Sequence, residues 1–327
     1  MTVKAYPCLF LLLILLFTGC NSKDESVYYH TKLAIFKTSA NFKYNYTKEL
    51  GAEISARLDS FDLSLNPFNN NSIIYKVNNN IDVEVDDYFI TCFNKAQEIA
   101  ALTDGVYDIT AAPLINLWGF GFQKMDSVTP EAIDSLKQFV GYEKVNLEAG
   151  RVVKKDPRLQ LNMSSIAKGY ACDVIADLFD SYAIEDYMVE IGGEVRAKGK
   201  NPNGNLWKIG IASPLDDKSG AVSGTQETLS LDNYALATSG NYRNYYIKDG
   251  KKYAHTISPK TGYPSESNLL SASVIYPDCM TADAFATAFM ALGIDKAEEL
   301  AKQIPELSYL FIYEDANGDL KSLKVKK

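Results

Sequence analysis

The sequence is poor in histidine and tryptophan, with two of each among 327 residues. With only His30 and His255 to draw on, a histidine-based metal site is nearly excluded. No Cys-x-x-Cys occurs, and no long block of one charge sign. Neither Gly-x-Gly-x-x-Gly nor Gly-x-x-x-x-Gly-Lys-Ser/Thr is present, so the usual dinucleotide and P-loop sites are missing. There is no internal repeat and no low-complexity stretch. The net charge of −8 argues against non-specific binding to a nucleic-acid backbone. The apolar run Cys8–Phe17 is ten residues long, about half of the roughly 20 that a spanning helix needs.

What is present is ordinary globular material. Apolar residues make up 46% of the chain and charged residues 23%, enough for a sizeable core. Residues 1–20 join Lys4 and the apolar run to Thr18-Gly19-Cys20. That is a signal-peptide pattern, and small residues before Cys20 are similar to a bacterial lipoprotein cleavage site. The alternative is a plain signal peptide with an incidental cysteine. Residues 21–30 are expected to form a tether and 31–327 a single catalytic domain. Losing Cys8 and lipidating Cys20 would leave Cys92, Cys172 and Cys279. Three thiols far apart in sequence predict buried cysteines rather than a disulfide framework.

Residues 33–46 alternate as a strand or hairpin. Leu50, Ile54, Leu58 and Phe61 fall on one helical face, as do Phe89, Cys92, Phe93, Ala96 and Ala100. Thr129-Pro130 opens a helix with a cap and a proline at its first position. Ala171, Val174, Ile175 and Leu178 mark another, and Phe285, Ala288, Phe289 and Leu292 one ended by Gly293. The Asn-rich stretch 62–85 reads as loop. Residues 187–213 read as strands broken at Gly192-Gly193 and Asn203-Gly204, and 268–276 as a further strand. Asn317-Gly318 signals a hairpin. Helices and strands mix without a βαβ rhythm, which predicts an α+β fold.

Four stretches carry more glycine and polar residues than a core requires. Residues 105–121 (GVYDITAAPLINLWGFG) suit a flat-ring pocket or a tight turn around a packed Trp118. Asn162–Tyr170 opens a helix with Lys168 in its first turn, which suits an anion or is an ordinary cap. Residues 237–242 and 254–262 surround His255 with hydroxyls and glycine, and a neutral imidazole can serve as general base. Asp283 and Thr287 lie four apart on one helical face. They suit a hard cation such as Mg²⁺, or Asp283 simply complements the helix N-terminus.

Taken in order, GVYDITAAPLINLWGFG, SSIAKGYACD, VEIGGEV, WKIGIASP, ALATSGNY, HTISPKTGYP and TADAFATAFMALG resemble the ApbE family of FAD:protein FMN transferases. The resemblance implies an α+β, T-fold-like domain with mainly antiparallel sheet. It implies an Mg²⁺-dependent reaction. FMN passes from FAD, the substrate, to a Thr or Ser hydroxyl of an acceptor membrane redox subunit, and AMP leaves. FAD pyrophosphatase activity and non-catalytic flavin binding by a lipoprotein are the alternatives. By the same resemblance His255 is the base, and Asp283, Thr287 and the Ser165 carbonyl ligate the metal. Phe68, Asp108, Ile109, Thr110, Asn162, Lys168, Ser239 and Tyr242 contact the flavin nucleotide. Phe68 stands where a Tyr is frequent, Asn162 for a frequent Asp, and Ser258 for a frequent Asp or Asn. The family's early Gly-Thr element is not evident in KTSANFKY. Export and a lipid on Cys20 would place the protein at the periplasmic face of a bacterial membrane.

Overall fold

The computed structural model describes residues 26–122, 127–212, 225–241, 245–248, 251–254, 256–265 and 267–326. In chain order the elements begin with β1 (Val27–Ile35), β2 (Thr38–Tyr46), α1 (Gly51–Leu65), α2 (Ile73–Asn78) and α3 (Asp87–Leu102). Next come α4 (Ala112–Leu117), α5 (Pro130–Lys137), β3 (Val145–Glu148), β4 (Arg151–Lys154) and α6 (Ala167–Ser181). Then follow β5 (Tyr187–Ile191), β6 (Glu194–Lys198), β7 (Trp207–Ala212), β8 (Thr225–Leu231) and β9 (Tyr234–Gly240). The chain continues through β10 (Tyr245–Lys248), β11 (Lys251–Ala254), β12 (Leu269–Tyr276), α7 (Cys279–Leu292), α8 (Ile294–Gln303), β13 (Ser308–Glu314) and β14 (Leu320–Val325).

Eight strands form one antiparallel sheet in the order β1-β2-β5-β6-β9-β12-β13-β14. Side chains alternate across it, as a period of two requires. Ala235, Ala237, Tyr309 and Phe311 point to a core shared with α1, α3, α6 and α7. Val195, Leu236 and Leu310 point the other way, under the β7–β8 hairpin with Trp207 and Leu231. A satellite core joins Leu114, Trp118, Ile133 and Ile257. The fold is therefore α+β with helices massed on one face.

The expected face of Leu50, Ile54, Leu58 and Phe61 is buried at the start and along α1, and Leu65 joins it. Asp278 caps α7 by accepting the Thr281 N–H at 2.7 Å, and Gly293 ends it at φ 77°. Two expectations change. Stretch 62–85 is not all loop, because Ser72 accepts the Tyr75 N–H at 3.1 Å and caps α2. The tether cannot extend to residue 30, because β1 starts at Val27, where Tyr29 stacks on Tyr44 with centroids 5.6 Å apart. Cys92, Cys172 and Cys279 are buried and free. Among the described residues no helix is long and apolar enough to cross a membrane.

Candidate active site

A cavity of about 620 Å³ opens where the start of α6, one face of α7 and the tips of the β1–β2 and β5–β6 hairpins meet. Its rear wall is a close crossing of α6 and α7. Asp283 is only 3% exposed, and its Oδ2 accepts the Gly169 N–H at 2.9 Å. Glycine is required there by space. A Cβ on Gly169 would lie 2.2 Å from the Cys279 carbonyl oxygen and 2.7 Å from the Asp283 Cβ.

Buried charges lock this crossing to β6. Alternation sends Glu194 and Arg196 to the helical side of the sheet. Lys168 Nζ pairs with Glu194 Oε2 at 2.5 Å. Arg196 Nη1 donates to Asp173 Oδ1 at 2.8 Å. The Asp173 carboxylate also accepts the Cys279 and Met280 N–H groups at 2.9 and 2.7 Å, so it holds the first turn of α7. Burial raises the Asp283 carboxyl, opposed by Lys168. Burial also raises Glu194, the nearby Asp283 charge raises it further, and Lys168 again opposes. Burial pushes Asp173 up to about 6 against the pull of Arg196. A group buried this way keeps its charge only when a partner offsets the lost hydration.

One turn beyond Asp283, the Thr287 hydroxyl meets the Ser239 hydroxyl of β9 at 3.2 Å. Ser165 donates from its hydroxyl to the Tyr107 phenol oxygen at 3.1 Å. The donor set is hard oxygen with one buried carboxylate, which fits a small divalent cation. Among the described residues no three His, Cys, Asp or Glu side chains converge on a metal position. A cation held here must complete its shell with carbonyls, waters or ligand phosphates, the usual arrangement for Mg²⁺.

Asp108, Asn162, Ser165, Lys168, Ser239, Asp283 and Thr287 all line this cavity. Ile109 and Thr110 do not; they are buried behind it. Thr110 Oγ1 donates to Asp108 Oδ1 at 2.7 Å and accepts the Gly141 N–H at 2.8 Å. Thr110 thereby supports the Asp108 carboxylate, and the Ile109 carbonyl accepts the Asn162 N–H at 2.8 Å. Burial pushes the Asp108 carboxyl up to about 6, against the bonds it accepts from Thr110. Phe68 lines a second cavity of about 270 Å³ that shares Phe36, Ser164 and Lys168 with the first. His255 and Tyr242 lie outside the described residues. The neighbours Thr256, Ile257 and Pro259 line the main cavity.

Two departures have local reasons. Asn162 Oδ1 accepts the Ser164 N–H at 2.9 Å, so the amide serves as a turn cap. Ser258 Oγ accepts the Thr261 N–H at 3.3 Å, a task that Asp or Asn also performs. Glu194, Gly169 and Asp173 were not singled out by sequence. Each sits inside a quoted motif, but their partners are far away in sequence.

The sequence profile of the ApbE family matches residues 29–311. The FAD:protein FMN transferase of Vibrio cholerae serotype O1 is 36% identical over 307 residues, covering 90% of this chain and 90% of that protein. That of Escherichia coli strain K12 is 34% identical over 309 residues, covering 88% and 87%. The solved flavin transferase ApbE from Vibrio cholerae superposes with a TM-score of 0.81 at 33% identity, covering 91% of this chain and 97% of that one. The apo flavinyl transferase ApbE of Pseudomonas stutzeri gives 0.82 at 29% identity, covering 92% and 96%. With its profile, its relatives and its cavity in agreement, the chain belongs to the ApbE family.

Proposed function

We propose that the protein is an FAD:protein FMN transferase that requires Mg²⁺ and releases AMP. The observation that carries this reading is the buried Asp283 carboxylate beside Thr287 and Lys168 on one cavity wall, in a chain whose relatives bear that name. The cavity volume falls in the range of about 300–1,000 Å³ typical of small-molecule sites.

The reaction exchanges the phosphoanhydride bond of the FAD diphosphate for a phosphoester to the acceptor. The acceptor hydroxyl oxygen bonds to the FMN phosphorus, the bond from that phosphorus to the AMP oxygen breaks, and AMP leaves with the electron pair. The hydroxyl proton passes to a base, the role assigned to His255, worth about 10²–10⁴-fold. Mg²⁺, when bound, supplies charge that offsets the diphosphate. Asp283 and Thr287 would hold it, with the Ser165 carbonyl beside them. Lys168 brings an ammonium to the same wall, and its pairing with Glu194 keeps it oriented.

The apolar run before Cys20 supports export with a lipid on that cysteine, at the periplasmic face of a bacterial membrane. The acceptor is a membrane redox subunit presenting a Thr or Ser.

The test mixes residues 21–327 with FAD, Mg²⁺ and an acceptor domain carrying a target Thr. The acceptor should gain the mass of an FMN ester as AMP appears, and EDTA should block both. The His255→Ala variant should bind FAD and lose most transfer. AMP and free FMN without acceptor labelling would instead assign hydrolysis, and FAD retained without AMP would assign simple binding.

A further inference from the structure

Two hairpins present their tips to the main cavity. The β5–β6 hairpin turns through Gly192 and Gly193, at φ 65° and 105°. The β1–β2 hairpin turns through Phe36 and Lys37, at φ 53° and 59°. Two-residue turns with both φ positive favour Asn-Gly or Gly-Gly, because a Cβ is strained there. A bulky aromatic and a lysine are unexpected in that position, and such strain persists where a site uses the side chains.

Both side chains face the cavities. Phe36 lines both of them, and Lys37 lines the second. Lys37 Nζ lies 4.3 Å from the centroid of the Phe68 ring. No acidic side chain pairs with it among the described residues. Lys168 is different, because it already pairs with buried Glu194. Lys168 shares the main cavity with three carboxylates, those of Asp108, Glu194 and Asp283, and feels the charges of the last two. A diphosphate brings still more negative charge. Among the described residues, Lys37 is the one other lysine or arginine lining either cavity.

We propose that Lys37 is a substrate-binding residue, held by a strained turn on the wall of the second cavity, which shares Phe36, Ser164 and Lys168 with the main one, so that its ammonium meets the anionic diphosphate of the flavin nucleotide. This rests on the transferase reading above. The Phe68 ring supports the ammonium from below by a cation–π contact, which leaves its N–H groups free for phosphate oxygens.

The experiment measures FAD affinity by calorimetry in EDTA, which prevents turnover, at several salt concentrations. The proteins are wild type, Lys37→Gly, Lys37→Gln and Lys37→Arg. Gly and Gln should weaken FAD binding by about fivefold at low salt, the scale of one exposed charge contact. They should also flatten its salt dependence, and Arg should retain both properties. Lys37→Gly should keep or raise the melting temperature, which separates lost binding from lost folding. Equal affinities in all four proteins would overturn the proposal. Weaker binding with an unchanged salt slope would also overturn it, by assigning Lys37 to supporting the Phe68 ring alone. A wild type that binds no FAD would sink this proposal and the transferase reading together. FAD bound with the expected Lys37 dependence but never transferred would sink the transferase reading only.

Discussion

The two hairpin tips at the cavity answer one backbone problem in opposite ways. Both chain reversals need left-handed residues. At Gly192 side-chain space is absent as well, because a Cβ would meet Thr38 Cγ2 at 3.0 Å and Lys168 Cδ at 3.4 Å. Glycine removes strain and contact together. The tip beside it keeps Phe36 and Lys37, and with them an aromatic surface and a cation. Where only a turn is needed the chain uses glycine; where a side chain must reach the ligand it accepts strain.

The same distinction separates the rear wall from the rim. At the rear wall every buried charge has a partner: Asp283 with the Gly169 N–H, Glu194 with Lys168, Asp173 with Arg196. Such pairing fixes geometry, which chemistry at phosphorus needs. The rim is looser, with Phe68 51% exposed and Lys37 resting on its ring.

Two replacements of glycine and one replacement by glycine separate the roles of the rear wall and the two tips. The largest effect is expected from Gly169→Ala, where the new methyl overlaps the Cys279 carbonyl oxygen. It should cost about 3 kcal/mol and lower the melting temperature by several degrees, as calorimetry would record. It should also displace Asp283, so flavin transfer falls further than stability explains. Gly192→Ala comes next, costing about 1–2 kcal/mol from its left-handed backbone. A variant as stable as wild type in urea would show that the β5–β6 tip can move away from Thr38. The smallest effect has the opposite sign: Lys37→Gly should hold or raise stability while weakening FAD binding. Lower stability there would mean that Lys37 serves the fold and not the ligand.

Much of this was legible in the sequence, for physical reasons. Asp283 was legible through its four-residue spacing from Thr287, which puts both on one face of α7, and Gly293 announced the helix end. The Gly192-Gly193 break correctly separated β5 from β6. The α2 helix was hidden because asparagines suggested loop, although Ser72 offered a cap. Ile109 and Thr110 were expected at the pocket from the family resemblance; their side chains are buried beside the lining residue Asp108, an orientation that a motif match does not specify. Glu194 was hidden for a different reason. Its meaning comes from Lys168 on another element, and only the strand's alternation turns the two toward each other. The strain at Phe36 and Lys37 was equally invisible, since their composition gives no sign of a left-handed turn.

Under the proposed function, Asp283 on the rear wall holds a divalent cation next to a bound diphosphate. The direct measurement counts Mn²⁺ bound in the presence of ADP, by electron paramagnetic resonance, in wild type and in Asp283→Asn. The amide keeps the shape and removes the charge. Wild type should bind one Mn²⁺, and the variant should bind it at least about tenfold more weakly while its melting temperature shows it folded. Equal Mn²⁺ binding by the two proteins would remove Asp283 from the metal site.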